Sequence, residues 1–155
     1  RTAAKPNLLL TRTFSKIHGL AGLRLGYGIG CGEIIGACEK VRQPFNISTM
    51  APVAALAALD DTDHQRRTKE NNTRGLAFFE RAFRAMGLPF VPSHANFVLV
   101  KVGAGQRVFD RLQHSGIIVR PMGGYRLPEW IRISIGTPQE NERCLTSLKQ
   151  ALEGA

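Results

Sequence analysis

One lysine in this chain has neighbours that could make it a reactive amine. Lys16 lies in the run Thr13-Phe14-Ser15-Lys16, and the glycine-rich stretch that follows leads to Arg24. A guanidinium is a planar group with several donors that suits a phosphate dianion, and the Thr13 and Ser15 hydroxyls can add neutral donors. The pattern therefore indicates an amine displayed beside a bound phosphate.

Such an amine would suit a carbonyl cofactor that carries a phosphate. Pyridoxal phosphate is the obvious candidate, because its aldehyde condenses with a lysine to form a Schiff base. A second interpretation stays open, since a lysine in a Ser/Gly loop also fits a solvated surface position. Leu8 to Leu10 is short enough for a buried strand, and a second apolar run extends from Leu23 to Ile29. We therefore predict that Lys16 lies on a strand-to-strand connection.

The sequence around Lys16 resembles the cofactor-lysine region of the fold-type-I aminotransferases. The similarity continues to the C-terminus in the manner of the histidinol-phosphate branch. The segments that carry it are TFSKIHGLAGLRLGYGIG, PSHANFVLVKV and GIIVRPMGGYRLPEWIRISIGTPQENE, with the helical stretch between them. The resemblance implies an α/β fold, namely the C-terminal part of a fold-type-I pyridoxal-phosphate transferase with the end of the large-domain sheet, a long linking helix and a small α/β domain.

The resemblance also implies roles for particular residues. Lys16 would be the catalytic lysine that holds pyridoxal 5'-phosphate, and Thr13, Ser15 and Arg24 would bind the cofactor. The implied reaction is transfer of the amino group of histidinol phosphate to 2-oxoglutarate in histidine biosynthesis. The implied partners are small molecules, a phosphorylated amino alcohol and a 2-oxo acid, with a homodimer for the full-length protein.

Two arginines near the C-terminus stand out from the other basic residues. Strict alternation in the strand around Arg132 puts this residue on the same face as Trp130 and Ser134. A charge in mid-strand is costly unless it is paired or faces a cleft, so a structural salt bridge is one reading. By resemblance, Arg132 would bind the substrate α-carboxylate and Arg120 would help hold the substrate phosphate. The alternative for Arg120 is a loop arginine at a strand end.

The length of the chain and the end of its long helix indicate the domain organisation. Apolar residues at helical spacing lead up to Gly87-Leu88-Pro89, which ends a helix. The chain has 155 residues, whereas the enzymes it resembles are more than twice as long, so we expect an incomplete fold that is inactive alone. We predict the end of the cofactor-binding large domain at 1–61, a linking helix at 62–86 and a small α/β domain at 87–155. In the small domain we expect strands at Phe97–Val100, Ile117–Val119 and Ile131–Ile135, and a last helix at Glu140–Leu152 capped near Thr137.

Composition limits the other functions. The net charge is +9, but the basic residues are dispersed without interleaved aromatics, so we expect no nucleic-acid partner. No apolar stretch approaches the roughly 20 residues of a membrane-spanning helix, so we expect no membrane partner and a cytoplasmic location. Three cysteines without a CxxC spacing or clustered histidines indicate neither a disulfide framework nor a metal site.

Other functions remain open at this point. Within the same superfamily, a threonine-phosphate decarboxylase-like or an aromatic aminotransferase-like enzyme would share most of these residues. Transamination and decarboxylation differ in which Cα bond is aligned with the cofactor ring, and the sequence does not expose that geometry. From a different class, a non-catalytic interaction domain derived from an aminotransferase is possible, although the joint presence of Lys16, Arg24 and Arg132 argues against it.

Overall fold

The two apolar runs that flank Lys16 form an antiparallel pair of strands. The structure is a computed structural model and describes residues 7–153. Strand β1 (Leu9–Thr13) pairs with strand β2 (Gly26–Gly30), with Thr13 opposite Gly26 at the end where the connection begins. A side chain at Gly26 would place its Cβ 2.6 Å from the backbone oxygen of Arg12, so the close approach of the two strands excludes any larger residue. The prediction that Lys16 lies between two strands is confirmed.

The prediction that the first of these strands is buried is wrong. Leu9 is 40% exposed and Ile29 is 44% exposed, because β1 and β2 form a two-stranded sheet in which each strand pairs only with the other. Short apolar runs are typical of strands covered on both faces, and a two-stranded sheet in the described residues does not provide that cover.

Two helices follow, and the second has an exposed apolar surface. Helix α1 spans Gly32–Val41 and helix α2 spans Met50–Asp60. Ala51 and Ala55 of α2 are buried, whereas Met50 and Val53 are about 70% exposed. Thr49 occupies the N-cap of α2, but its side chain makes no capping hydrogen bond.

A long helix then crosses the division of the chain into two compact units. Helix α3 spans Thr62–Ala85, close to the predicted 62–86, and the units separate within it, one extending to Thr68 and the other beginning at Lys69. Gly87, with φ of 65°, follows the helix, and the amide of Leu88 bonds back to the carbonyl of Phe83. This is the glycine-ended helix stop that the sequence indicates.

The second unit contains a four-stranded antiparallel sheet with helices. Its strands are β3 (Phe90–Val91), β4 (Phe97–Lys101), β5 (Arg120–Pro121) and β6 (Trp130–Ser134). Its two further helices are α4 (Gly105–His114) and α5 (Pro138–Glu153). The strand order is β3-β4-β6-β5, so the two central strands are distant in sequence.

One face of this sheet forms the core, and the other carries a mixture of aromatic, apolar and polar side chains. Inward-pointing residues of β4 and β6 are buried against apolar side chains of α3, α4 and α5. The fully buried large residues are Phe79, Phe83, Val98, Val100, Val108, Leu112, Ile131, Ile133 and Leu148. Burial in this core raises the pKa of the Cys144 thiol to about 11. Because Ile131 and Ile133 point into the core, Trp130, Arg132 and Ser134 lie on the opposite face, as alternation predicts.

The predicted strand at Ile117–Val119 is wrong in its position. The strand lies at Arg120–Pro121, since only those residues find partners on β6, and Ile118 is 81% exposed. Strand β3 was not predicted, because a two-residue strand carries too little pattern to read. Helix α5 begins at Pro138, two residues before the predicted start, and its N-terminus is capped by Thr137.

In residues 7–153, no helix combines the length and the apolar character needed to cross a membrane.

Candidate active site

The connection that carries Lys16 is a hydrogen-bonded loop between β1 and β2. The amide of Phe14 donates to the carbonyl of Leu25 at 3.1 Å, and the amide of Leu20 donates to the carbonyl of Phe14 at 3.0 Å. The amide of Gly19 donates to the carbonyl of Lys16 at 2.9 Å, with Gly19 at φ of 68°. The Lys16 side chain is exposed, so the backbone bonds hold the loop while its amine stays accessible.

The aromatic side chain of Phe14 anchors the same loop. Phe14 is only 4% exposed, and its ring lies 4.9 Å from the His18 ring and 6.0 Å from the Tyr27 ring. Contacts of this kind between aromatic rings stabilise a fold, because they bury apolar area and favour particular ring orientations. The residue two positions before Lys16 therefore fixes the loop within the first unit.

A histidine that the sequence did not single out also holds this loop. His64 Nε2 lies 2.9 Å from the carbonyl oxygen of Ile17, and the His64 amide donates to Asp61 Oδ1 at 2.9 Å. In the sequence His64 lies among the dispersed basic residues of the polar segment that begins the long helix. A hydrogen bond to a main-chain oxygen 47 residues away leaves no local pattern by which the sequence could have indicated it.

Arg24 closes the loop in an unusual backbone conformation. It has φ of 52°, in the left-handed region, and its Nη1 donates to the carbonyl of Ala21 at 2.7 Å. Left-handed conformations of residues other than glycine are uncommon and cluster at functional sites. The Thr13 hydroxyl accepts the Ser15 amide at 3.0 Å, so this side chain shapes the turn into Lys16. All four residues predicted to bind the cofactor lie in the first unit.

The two predicted substrate arginines lie together in the second unit. Arg120 of β5 is directly opposite Arg132 of β6 in the antiparallel register, so their side chains project from the same face of the sheet. They line one cavity of about 210 Å³ together with Ser134, Ile118 and Val119. The cavity thus brings two positive charges and a hydroxyl to one place.

Neither guanidinium is neutralised in this part of the molecule. Arg120 Nη1 lies 3.4 Å from the Tyr125 hydroxyl, and the Arg132 Nε is buried without a hydrogen-bond partner. Across residues 7–153, the ion pairs that do form involve other side chains. A buried guanidinium N–H without a partner is costly, so this cavity suits an anion such as a carboxylate or a phosphate.

Comparison with known proteins identifies the family. The model of the family described as aminotransferase class I and II matches residues 1–148. A histidinol-phosphate aminotransferase of Akkermansia muciniphila is 56% identical over 94% of this chain and 40% of its own length. Histidinol-phosphate aminotransferase 2 of Ralstonia nicotianae is 52% identical over 97% of this chain and 41% of its own length.

A solved structure extends the comparison to three dimensions. Histidinol-phosphate aminotransferase of Sinorhizobium meliloti, crystallised in complex with pyridoxal-5'-phosphate, is 32% identical, with a TM-score of 0.88 over 97% of this chain and 42% of that chain. The chain therefore spans about two fifths of the length of the relatives it matches. The predicted fold class and the resemblance to the histidinol-phosphate branch are both confirmed. The chain belongs to the aminotransferase class I and II family.

Proposed function

We propose that this chain supplies the cofactor lysine and the substrate arginines of a pyridoxal-phosphate-dependent aminotransferase that acts on histidinol phosphate and 2-oxoglutarate. The observation that carries the proposal is that one chain contains both an exposed lysine on a hydrogen-bonded loop and a cavity lined by two arginines. Identity above 50% to two enzymes named histidinol-phosphate aminotransferase supports this choice of substrate.

The donor set around Lys16 fits pyridoxal phosphate. An accessible amine can react with the aldehyde, and Arg24 can bind the phosphate, because its bond to Ala21 uses one of the five N–H donors of a guanidinium. Thr13 and Ser15 offer hydroxyls on the same turn. When bound, the cofactor supplies an aldehyde for covalent attachment and a ring that accepts electrons.

The protein then has to move a proton and orient the reactants. We propose that Lys16 Nζ anchors the cofactor and, once released, takes the proton from the substrate Cα as general base. Arg132 would bind the α-carboxylate of the amino acid or 2-oxo acid, and Arg120 would bind the phosphate of the amino alcohol. Bidentate binding to a guanidinium fixes the orientation of an oxyanion as well as its position.

Domain roles, assembly and location are part of the same proposal. Residues 1–61 would belong to the cofactor-binding domain, 62–86 to the linking helix and 87–155 to the substrate-binding domain. The exposed Phe45, Met50 and Val53 of the first unit support a surface that the rest of the enzyme or a second subunit of a homodimer covers. The thiols of Cys38 and Cys144 are free, as is usual in the reducing cytoplasm where we place the enzyme.

A chimera tests the proposal directly. This chain would replace the matching segment of the Akkermansia muciniphila relative, and the chimera would be supplied with pyridoxal phosphate, histidinol phosphate and 2-oxoglutarate. We expect the oxo product of histidinol phosphate to form with equimolar glutamate. Lys16→Ala should reduce the rate below detection, whereas Lys40→Ala, which alters an exposed lysine of α1, should leave it unchanged.

Other outcomes distinguish the alternative functions. Release of carbon dioxide from a phosphorylated amino acid would favour a decarboxylase-like enzyme, and preference for aromatic amines would favour an aromatic aminotransferase. A folded chimera that transforms none of these substrates would favour a non-catalytic interaction domain. The 155-residue chain alone is expected to bind the cofactor weakly or not at all; a stable absorbance band on adding pyridoxal phosphate, lost in Lys16→Ala, would contradict that expectation.

A further inference from the structure

An aromatic ring lies beneath the arginine whose Nε has no partner. The Arg132 guanidinium carbon lies over the Phe97 ring, 4.8 Å from its centroid. A cation over the face of an aromatic ring is attracted by the ring's quadrupole, most strongly where water is excluded. Phe97 is half-buried and the Arg132 Nε is buried, so this contact is partly shielded from solvent.

The strand register explains why these two side chains meet. Phe97 is opposite Ser134 in the pairing of β4 with β6, and Leu99 is opposite Arg132. Phe97 is therefore the diagonal neighbour of Arg132 on the same face of the sheet, at a spacing that aromatic and long side chains can bridge. The core-facing Val98 between Phe97 and Leu99 ties the ring's position to the packed interior.

The ring restrains the arginine without neutralising it. An aromatic face attracts the cation but leaves the N–H donors, which lie in the guanidinium plane, without an oxygen acceptor. A carboxylate in place of Phe97 would satisfy those donors and compete with a bound anion. The arrangement therefore holds Arg132 in place while its Nε–H remains unbonded within the described residues.

We propose that Phe97 is a positioning residue that holds the Arg132 guanidinium ready to bind the carboxylate or phosphate of a substrate. This inference rests on the proposed role of Arg132. The ring restricts the rotamers of Arg132 before binding, so less side-chain entropy is lost when an oxyanion binds. The oxyanion therefore binds more tightly than it would to a freely moving arginine. Phe97 acts through Arg132.

Nuclear magnetic resonance of the 155-residue chain tests the inference without the cofactor. The arginine Nε–H resonance that disappears in Arg132→Gln identifies the group. In the wild-type chain, the ring of Phe97 should shift the side-chain protons of Arg132 upfield, and Phe97→Leu should remove the shift. Titration with 2-oxoglutarate and with inorganic phosphate then measures anion binding at that resonance and at the backbone amides of β5 and β6, which remain observable in Arg132→Gln.

The chain provides a matched control for the loss of an aromatic ring beside an arginine. Arg84 lies over the Phe90 ring at 5.2 Å from its centroid, at another strand of the same sheet. We expect Phe97→Leu to weaken anion binding roughly 3- to 10-fold, a range typical of a cation–π contact. Phe90→Leu should leave the affinity unchanged, and Phe97→Tyr should restore most of it.

The outcomes separate this inference from the function on which it rests. If no anion perturbs the Arg132 resonance, or if Arg132→Gln binds the anions as well as the wild type, the substrate role of Arg132 fails, and the inference with it. If Arg132 is required but Phe97→Leu binds as tightly as the wild type, only the role of Phe97 is overturned. Absence of the upfield shift in the wild-type chain would overturn it without any variant.

Discussion

Arg120 and Arg132 lie directly opposite each other across the pairing of β5 with β6, with like charges on the same face of the sheet. Like charges in directly opposed positions destabilise an antiparallel pair. Such an arrangement is a cost to the fold, and a bound anion between the guanidiniums would offset it. We therefore expect the stability of the second unit to depend on whether an anion occupies its cavity.

Neutralising one member of this pair should stabilise the chain when no anion is bound. We expect Arg120→Gln to raise the free energy of unfolding by about 0.2–1 kcal/mol at low ionic strength. The gain should shrink in high salt, since screening already weakens the repulsion in the wild type. Denaturant unfolding at two salt concentrations measures both effects.

Arg107→Gln is the matched control, because Arg107 is an exposed arginine of α4 and its substitution makes the same change in net charge. Added phosphate should stabilise the wild type more than Arg120→Gln, because a ligand that binds only the folded state raises its stability. Equal changes in the free energy of unfolding for Arg120→Gln and Arg107→Gln would show that the repulsion does not arise between Arg120 and Arg132.

Close packing at the start of α4 gives a second prediction. A Cβ at Gly105 would lie 2.6 Å from the Pro128 oxygen and 2.8 Å from the Trp130 oxygen, both on the backbone. We expect Gly105→Ala to destabilise the chain by about 1–3 kcal/mol, since a backbone clash is relieved only by moving a strand. This cost should exceed the gain of up to about 1 kcal/mol that alanine brings to a helix.

Gly124→Ala provides the comparison for this prediction. A Cβ at Gly124 meets no heavy atom within 4 Å, so its substitution should be neutral or slightly stabilising. Thermal unfolding of the two variants beside the wild type checks the difference. Equal melting temperatures for all three proteins would contradict the packing at Gly105.

Local patterns predicted most of the fold. The glycine-rich stretch around Lys16 marked a connection between strands, and the span of α3 followed from its apolar spacing and its terminal glycine. Alternation around Arg132 gave the correct face of β6. In each case the information lies within a few residues of the element that it describes.

The parts that the sequence did not give depend on distant pairing. The contact of Phe97 with Arg132 needs the register of two strands that are separated by α4 and β5. The bond of His64 to Ile17 joins a helix to a loop 47 residues away. The position of β5 was missed because the partners available on β6, and not the apolar run Ile117–Val119, decide where pairing occurs.

The N-terminus of α5 gives a prediction for pH dependence. The Thr137 amide and hydroxyl donate to Glu140 Oε2 at 2.7 and 2.9 Å, and these bonds hold the pKa of Glu140 below its ordinary value of 4.5. A lowered folded-state pKa means that the stabilisation is present above pH 4.5 and is lost as the pH falls through the folded-state pKa. The reciprocal hydrogen bonds between Thr137 and Glu140, which form a capping box, should therefore weaken in acid.

Glu140→Gln should reduce the free energy of unfolding at pH 7, and the difference from the wild type should diminish as the pH falls below 4.5. Denaturant unfolding across this pH range measures it. Glu142→Gln removes an exposed carboxylate from the same helix and should show no comparable pH dependence. A constant difference for Glu140→Gln at every pH would exclude the charged capping bond.

The bond between His64 and Ile17 predicts how the lysine loop is held. To donate to the Ile17 carbonyl, His64 must carry a proton on Nε2, so His64→Ala removes the donor and leaves a part-buried oxygen unsatisfied. We expect the amides of Gly19 and Leu20 to exchange with solvent roughly 2- to 10-fold faster in this variant, in line with the loss of one hydrogen bond. Exchange at Val108 in the second unit should not change.

His94→Ala, which alters an exposed histidine, is the control. Unchanged exchange at Gly19 and Leu20 in His64→Ala would mean that the loop is held by its own backbone bonds and by Phe14 alone.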